Sequence, residues 1–95
     1  MEIFRPLSDF YEVIEDDVRI NPIHISLYLA LVRKWNLNQD QNPFIVFRNE
    51  LMKAAKISSR FTYNKYMNDL HKFGYINYRP SSDAFEGSSV YLKRL

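Results

Sequence analysis

The stretch from Asn49 to Gly74 leaves this chain few choices. Tyr63, Met67, Leu70 and Phe73 recur there at spacings of four and three residues. That is the period at which side chains share one face of an α-helix. Ser59 stands just before the stripe, where a serine hydroxyl caps a helix by accepting from an N–H two or three residues on. Gly74 stands just after it, in the position glycine favours beyond a helix end. Upstream, Leu51, Met52 and Ala55 form a shorter apolar face, with Asn49 as its expected cap. Between the two, Lys56-Ile57-Ser58-Ser59 reads as a tight turn with Ile57 tucked beneath it. The pattern predicts two short helices in series, each needing an apolar surface supplied from elsewhere in the chain. The outer side of the second carries Arg60, Phe61, Asn64, Lys65 and Asn68.

The preceding residues supply that surface. Residues 8–19 predict a first helix, capped by Ser8, with Asp9 and Glu12 at the positive end of its dipole. Leu7, Tyr11, Ile14 and Val18 make its expected core-facing stripe, widened by Phe10 and Val13; part of the stripe, with Phe4, is the alternative for a dimer surface. Asn21-Pro22 opens a second helix running to about Leu37, since Asn caps well and Pro suits the first helical position. His24, Tyr28, Leu31 and Trp35 share one of its faces, and Leu27, Ala30 and Val32 fill much of the rest. A helix apolar over most of its circumference belongs at the centre of a core. His24 reads as a polar, partly buried residue at the helix start rather than a ligand. Residues 36–43 form a polar loop, and Phe44–Phe47 a short strand. After Gly74, residues 75–78 predict a strand with Ile76 and Tyr78 on one face. Residues 79–89 are rich in turn formers, and residues 90–93 return with Val90 and Leu92 inward.

Ninety-five residues suit one domain. The absence of cysteine excludes disulfides, thiolate nucleophiles and cysteine-ligated zinc. No apolar run approaches the roughly 20 residues that cross a bilayer, and the first residues lack the apolar core of a signal peptide; a cytoplasmic location is the expectation. The net charge of +2 is unevenly spread. Through residue 21, Arg5 and Arg19 face six carboxylates, whereas from residue 48 onward nine Lys/Arg face Glu50, Asp69, Asp83 and Glu86. A basic second half fits a nucleic-acid surface. His24 and His71 are distant in sequence, and neither a glycine-rich phosphate loop nor a metal-ligand motif is present. No enzyme, cofactor, metal site or small-molecule ligand is expected.

Ile57-Ser58-Ser59 through Thr62-Tyr63, then Leu70, then Phe73-Gly74-Tyr75-Ile76, resembles the loose pattern of winged helix-turn-helix DNA-binding proteins. More narrowly, residues 24–36, 49–57, 62–70 and 73–81 resemble small transcriptional-regulator-like proteins of bacterial mobile elements. The resemblance spans most of residues 22–93. It implies a mainly α fold with a small antiparallel β-sheet (α+β): about four helices and a C-terminal β-hairpin wing in a single domain. Residues 1–21 would be a helical extension, 49–74 the helix-turn-helix and 75–93 the wing. The wing departs from the family pattern. Its tip holds Asp83 and Glu86, while Arg79 and Lys93 lie at its base, so the expected wing contact moves to the base.

Such a domain implies double-stranded DNA as partner, transcription regulation as role, and a possible homodimer through the N-terminal helices. The major groove accepts one α-helix, in which Arg pairs with guanine and Asn with adenine. Arg60, Asn64, Lys65 and Asn68 are therefore the expected base-reading residues. Arg48, Lys56, Ser59, Thr62 and Arg79 are the expected phosphate contacts, with Lys53 and Lys72 as further candidates. Phe61 either touches a thymine methyl or packs on the neighbouring helix. Tyr63 and Tyr66 read as core, and Phe85 either folds back on the hairpin or meets a partner. Two alternatives remain on sequence alone. One is a protein-interaction module anchored by the N-terminal stripe or Phe85; the other is a replication or partition accessory factor of a mobile element.

Overall fold

A computed structural model describes residues 3–83 and 85–95. Ala84, within the expected wing loop, lies outside the described residues. The element order is α1 (Pro6–Ile14), α2 (Pro22–Leu37), β1 (Phe44–Val46), α3 (Arg48–Ala55), α4 (Arg60–Lys72), β2 (Ile76–Arg79) and β3 (Ser88–Leu92). The described residues form an α+β fold of four helices and one three-stranded antiparallel sheet, compatible with a winged helix.

Helix α2 is the centre of the core, with Leu27, Tyr28, Leu31 and Trp35 buried along it. Its start is doubly capped. The Asn21 side chain accepts from the Ile23 N–H at 2.9 Å, and the Asn21 N–H donates to His24 Nδ1 at 3.0 Å. This is the reciprocal logic of a capping box, with an imidazole in the usual Glu position. Ser26 Oγ donates to the Ala55 carbonyl at 2.6 Å, satisfying an acceptor left over at the end of α3.

Helix α1 differs from expectation. It begins at Pro6 and ends at Ile14, and no side chain caps it, so Ser8 lies within the helix. Its inward residues are Pro6 and Phe10, and of the expected stripe only Ile14 is partly buried against the core, while Leu7 and Tyr11 are exposed and Val18, beyond the helix, is 98% exposed. The reason is Phe10, whose ring stacks on Tyr28 with centroids 3.9 Å apart and meets Tyr75 edge-on at 5.4 Å. Aromatic packing of this kind outweighs the aliphatic stripe and sets the roll of the helix.

Two further boundaries move for local reasons. Helix α3 starts at Arg48 with Phe47 in the capping position, so Asn49 lies inside the first turn and caps nothing. Tyr75 closes the turn after α4 rather than opening the strand, although its carbonyl accepts from the Lys93 N–H at 3.2 Å. Its N–H donates to the Leu70 carbonyl at 2.9 Å, and the Gly74 N–H to His71 at 3.2 Å. These are the paired bonds of a Schellman motif, with Gly74 at φ +91° supplying the left-handed residue. The strand therefore begins at Ile76.

The last strand in sequence is the middle one in space, giving the order β1-β3-β2. Phe44 pairs with Val90 and Val46 with Ser88, while Ile76 pairs with Leu92 and Arg79 with Ser89. Pairing to β1 draws β3 back to Ser88, two residues before its expected start. Asn42 extends the β1 side: its amide donates to the Leu92 carbonyl at 3.2 Å and accepts from the Leu92 N–H at 3.0 Å. Phe44, Val46, Ile76, Val90 and Leu92 point into the core against the helices.

Candidate nucleic-acid interface

The surface of interest is the outer side of α4 with the turn before it. Tyr63, Met67 and Leu70 are buried, which fixes the roll of the helix. Arg60, Phe61, Asn64, Lys65 and Asn68 are consequently exposed. Arg60, Asn64 and Asn68 rise one turn apart and form one polar ridge. His71 and Lys72 continue it at the C-terminal end. His71 is a member the sequence reading missed; its Nδ1 accepts from the Tyr78 N–H at 3.0 Å, tying the ridge to β2. Its place was readable from helical spacing alone.

Ser59 caps α4 as expected, accepting from the Thr62 N–H at 3.2 Å. The Arg60 and Phe61 N–H groups are left without an intrahelical acceptor, at the positive end of the helix dipole. Lys56 ends α3 in the left-handed conformation, φ +61°, with its side chain exposed beside Ser58 and Ser59. Lys56, Ser59 and Thr62 also line one groove with Pro22 and Ile23. Phe61 does not pack on a neighbouring helix: it is 79% exposed. Its position two residues after the cap points it away from the buried stripe.

Lys65 stands at the edge of the ridge. Its Nζ lies 3.1 Å from Asp69 Oδ2 and 4.8 Å from the centre of the Tyr66 ring. Asp69 is also bonded by His24 Nε2 at 2.9 Å. His24, 2% exposed, thus uses both ring nitrogens: Nδ1 accepts from Asn21 and Nε2 donates to Asp69. It is buried more fully than its sequence context suggested, and it locks the start of α2 to the flank of α4. Burial pushes the Asp69 carboxyl up, but the bonds from His24 and Lys65 outweigh this and hold it below its usual range. Tyr66 packs beside His24 and accepts from the Asn21 side-chain amide at 2.9 Å.

Arg48 and Arg79 sit apart from the ridge, in different ways. Arg48, at the start of α3, lines a cleft of about 270 Å³ between that helix, α4 and the wing. Asn49, Asn64, Ser81 and Asp83 share the cleft, and Arg48 Nε has no hydrogen-bond partner among the described residues. Arg48 and Asn64 therefore open onto a common space. Arg79 instead lines a depression on the outer face of the sheet with Asn77, Ser89 and Tyr91. Strand alternation turns it away from Tyr78, which faces the cleft. Lys53 and Lys72 are exposed.

At the other end of α4, the α1–α2 connection is pinned down. Asp17 accepts from Arg19 Nε and Nη2, both at 2.8 Å, and from the Tyr75 hydroxyl at 2.6 Å. The Arg19 guanidinium, and then the Tyr75 hydroxyl, hold the Asp17 carboxyl well below the usual carboxylate range. Arg19 also lies over the Phe73 ring at 4.2 Å. Asp17, in the acidic N-terminal segment, is thus anchored near the C-terminal end of α4, opposite the end that carries Arg60. Among the described residues no cluster of His, Asp and Glu has the geometry of a metal site, and no helix is long and apolar enough to cross a membrane. No protein-family model, curated protein or solved structure matches this chain.

Proposed function

We propose that this protein binds double-stranded DNA sequence-specifically and acts in transcription regulation, with α4 as its reading helix. The observation that carries the reading is the exposed ridge of Arg60, Asn64 and Asn68, backed by the capped, N–H-rich start of α4. An α-helix fits the major groove, and the ridge offers the Arg and Asn groups that pair with guanine and adenine edges. Lys56, Ser59 and Thr62 would take phosphates beside the helix start, and Arg48 would do so from the cleft next to Asn64. Lys65 would contribute from the edge, after leaving Asp69. Arg79, on the outer face of the sheet, would engage only DNA that bends around the wing. Phe61 would lie against a thymine methyl.

The test is a titration of the chain with a pool of random duplexes, followed by recovery and sequencing of bound fragments. An enriched motif is the expected result. Affinity for that motif should fall with salt at a log–log slope of about −4 to −5, as four to six phosphate contacts require. No duplex binding at low salt refutes the proposal.

A further inference from the structure

Phe85, at the tip of the hairpin, is 94% exposed. It stands between two carboxylates, Asp83 and Glu86, and its N–H donates to Asp83 Oδ1 at 2.8 Å. Carboxylates on both sides oppose entry of this ring among DNA phosphates. They suit a receptor with an apolar floor and a basic rim. The same chain carries one. Between the C-terminal half of α2 and α3 runs a groove of about 80 Å³ floored by Ala30, Val46 and Leu51. Arg33 and Lys34 stand on its rim with a single carboxylate, Glu50, and Leu37, 66% exposed, extends the groove outward. Lys34 lies 3.8 Å from Glu50, while Arg33 has no ion-pair partner among the described residues.

Tip and groove are neighbours. Val46 and Phe47 line the groove, and the same two residues wall the turn at Gly87, where an added Cβ would lie 2.9 Å from the Val46 carbonyl oxygen and 3.0 Å from the Phe47 ring. The two surfaces thus lie on either side of the β1–α3 junction. Docking of the tip of each copy in the groove of the other would close the pair about a two-fold axis, with the same contact made twice.

From this complementarity of charge and polarity we infer that two copies of the chain pair reciprocally, Phe85 of each entering the α2–α3 groove of the other. Asp83 and Glu86 then face Arg33 and Lys34. The inference does not depend on nucleic-acid binding, and its test is run without nucleic acid.

The test is sedimentation of the full chain over a concentration series, with Phe85→Ser and Ala54→Glu. Both positions are exposed, so both variants should keep the wild-type thermal melt; Arg33→Glu replaces Ala54→Glu should that variant unfold. The expected result is a dimer for the wild type and self-association weakened about tenfold or more in each variant alone. Mixing the two variants restores one intact tip–groove contact and should give tighter association than either variant shows by itself. Leu7→Glu, on the exposed side of α1, should leave the dimer unchanged. The inference is overturned by a wild type that stays monomeric throughout, by a dimer insensitive to the Phe85 and groove variants, or by a mixture no tighter than its components.

Discussion

Arg60 and Asp17 mark the two ends of α4 and make opposite demands on their surroundings. Arg60 is exposed and unengaged in any ion pair among the described residues, so its removal costs the fold little. If it reads a guanine, Arg60→Ala should weaken binding to the selected motif by about 1–3 kcal/mol and relax preference at one base pair. Competition binding against single-base variants of the motif measures both effects. Asp17 is a purely structural carboxylate, held by Arg19 and the Tyr75 hydroxyl. Its folded-state pKa lies below the unfolded value near 4. The stability it contributes is therefore present above about pH 4 and is lost as pH falls toward the folded pKa. Thermal melts between pH 6 and pH 2 should show a steeper acid loss for the wild type than for Asp17→Asn.

At the level of elements, what was legible in the sequence is what depends on near neighbours. The caps at Asn21 and Ser59 and the stop at Gly74 follow from residues within one turn, and the structure has all three. The outer face of α4 follows from its period. The roll of α1 does not, because the Phe10–Tyr28 stack that sets it joins two separate helices. The readable Lys65–Asp69 pair at four-residue spacing was overlooked, whereas the His24–Asp69 bond needed the tertiary fold. The wing contains a further local signal in its second glycine. Gly87 has φ +72°, and a Cβ there would lie 2.6 Å from Ile45 Cγ2 and 2.9 Å from a backbone oxygen. Gly74 is left-handed too, but a Cβ there meets open space. Gly74→Ala should thus cost about 1 kcal/mol of backbone strain, and Gly87→Ala about 1–3 kcal/mol through strain and collision with β1. Denaturant titration of the two variants checks the order; an equal or reversed loss contradicts the wing packing described above.

For the whole molecule, the governing fact is the placement of β3 between β1 and β2. The two outer strands have no bond to each other; the third in chain order joins both. Removing residues 88–95 should therefore abolish the sheet and the cooperative thermal transition, rather than trim an edge, as circular dichroism melts would show. The same placement imposes an order of events on folding. The helices can approach their native turns through short-range contacts, but Phe44 must wait for Val90 before it has a partner. Until then β1 and β2 each present bare backbone edges, the kind of surface that recruits strands from other molecules. The chain's exposure to aggregation is therefore concentrated in the interval before its final strand arrives, and dilution or a rapid return to folding conditions should raise the yield of refolding more than any strengthening of the helices.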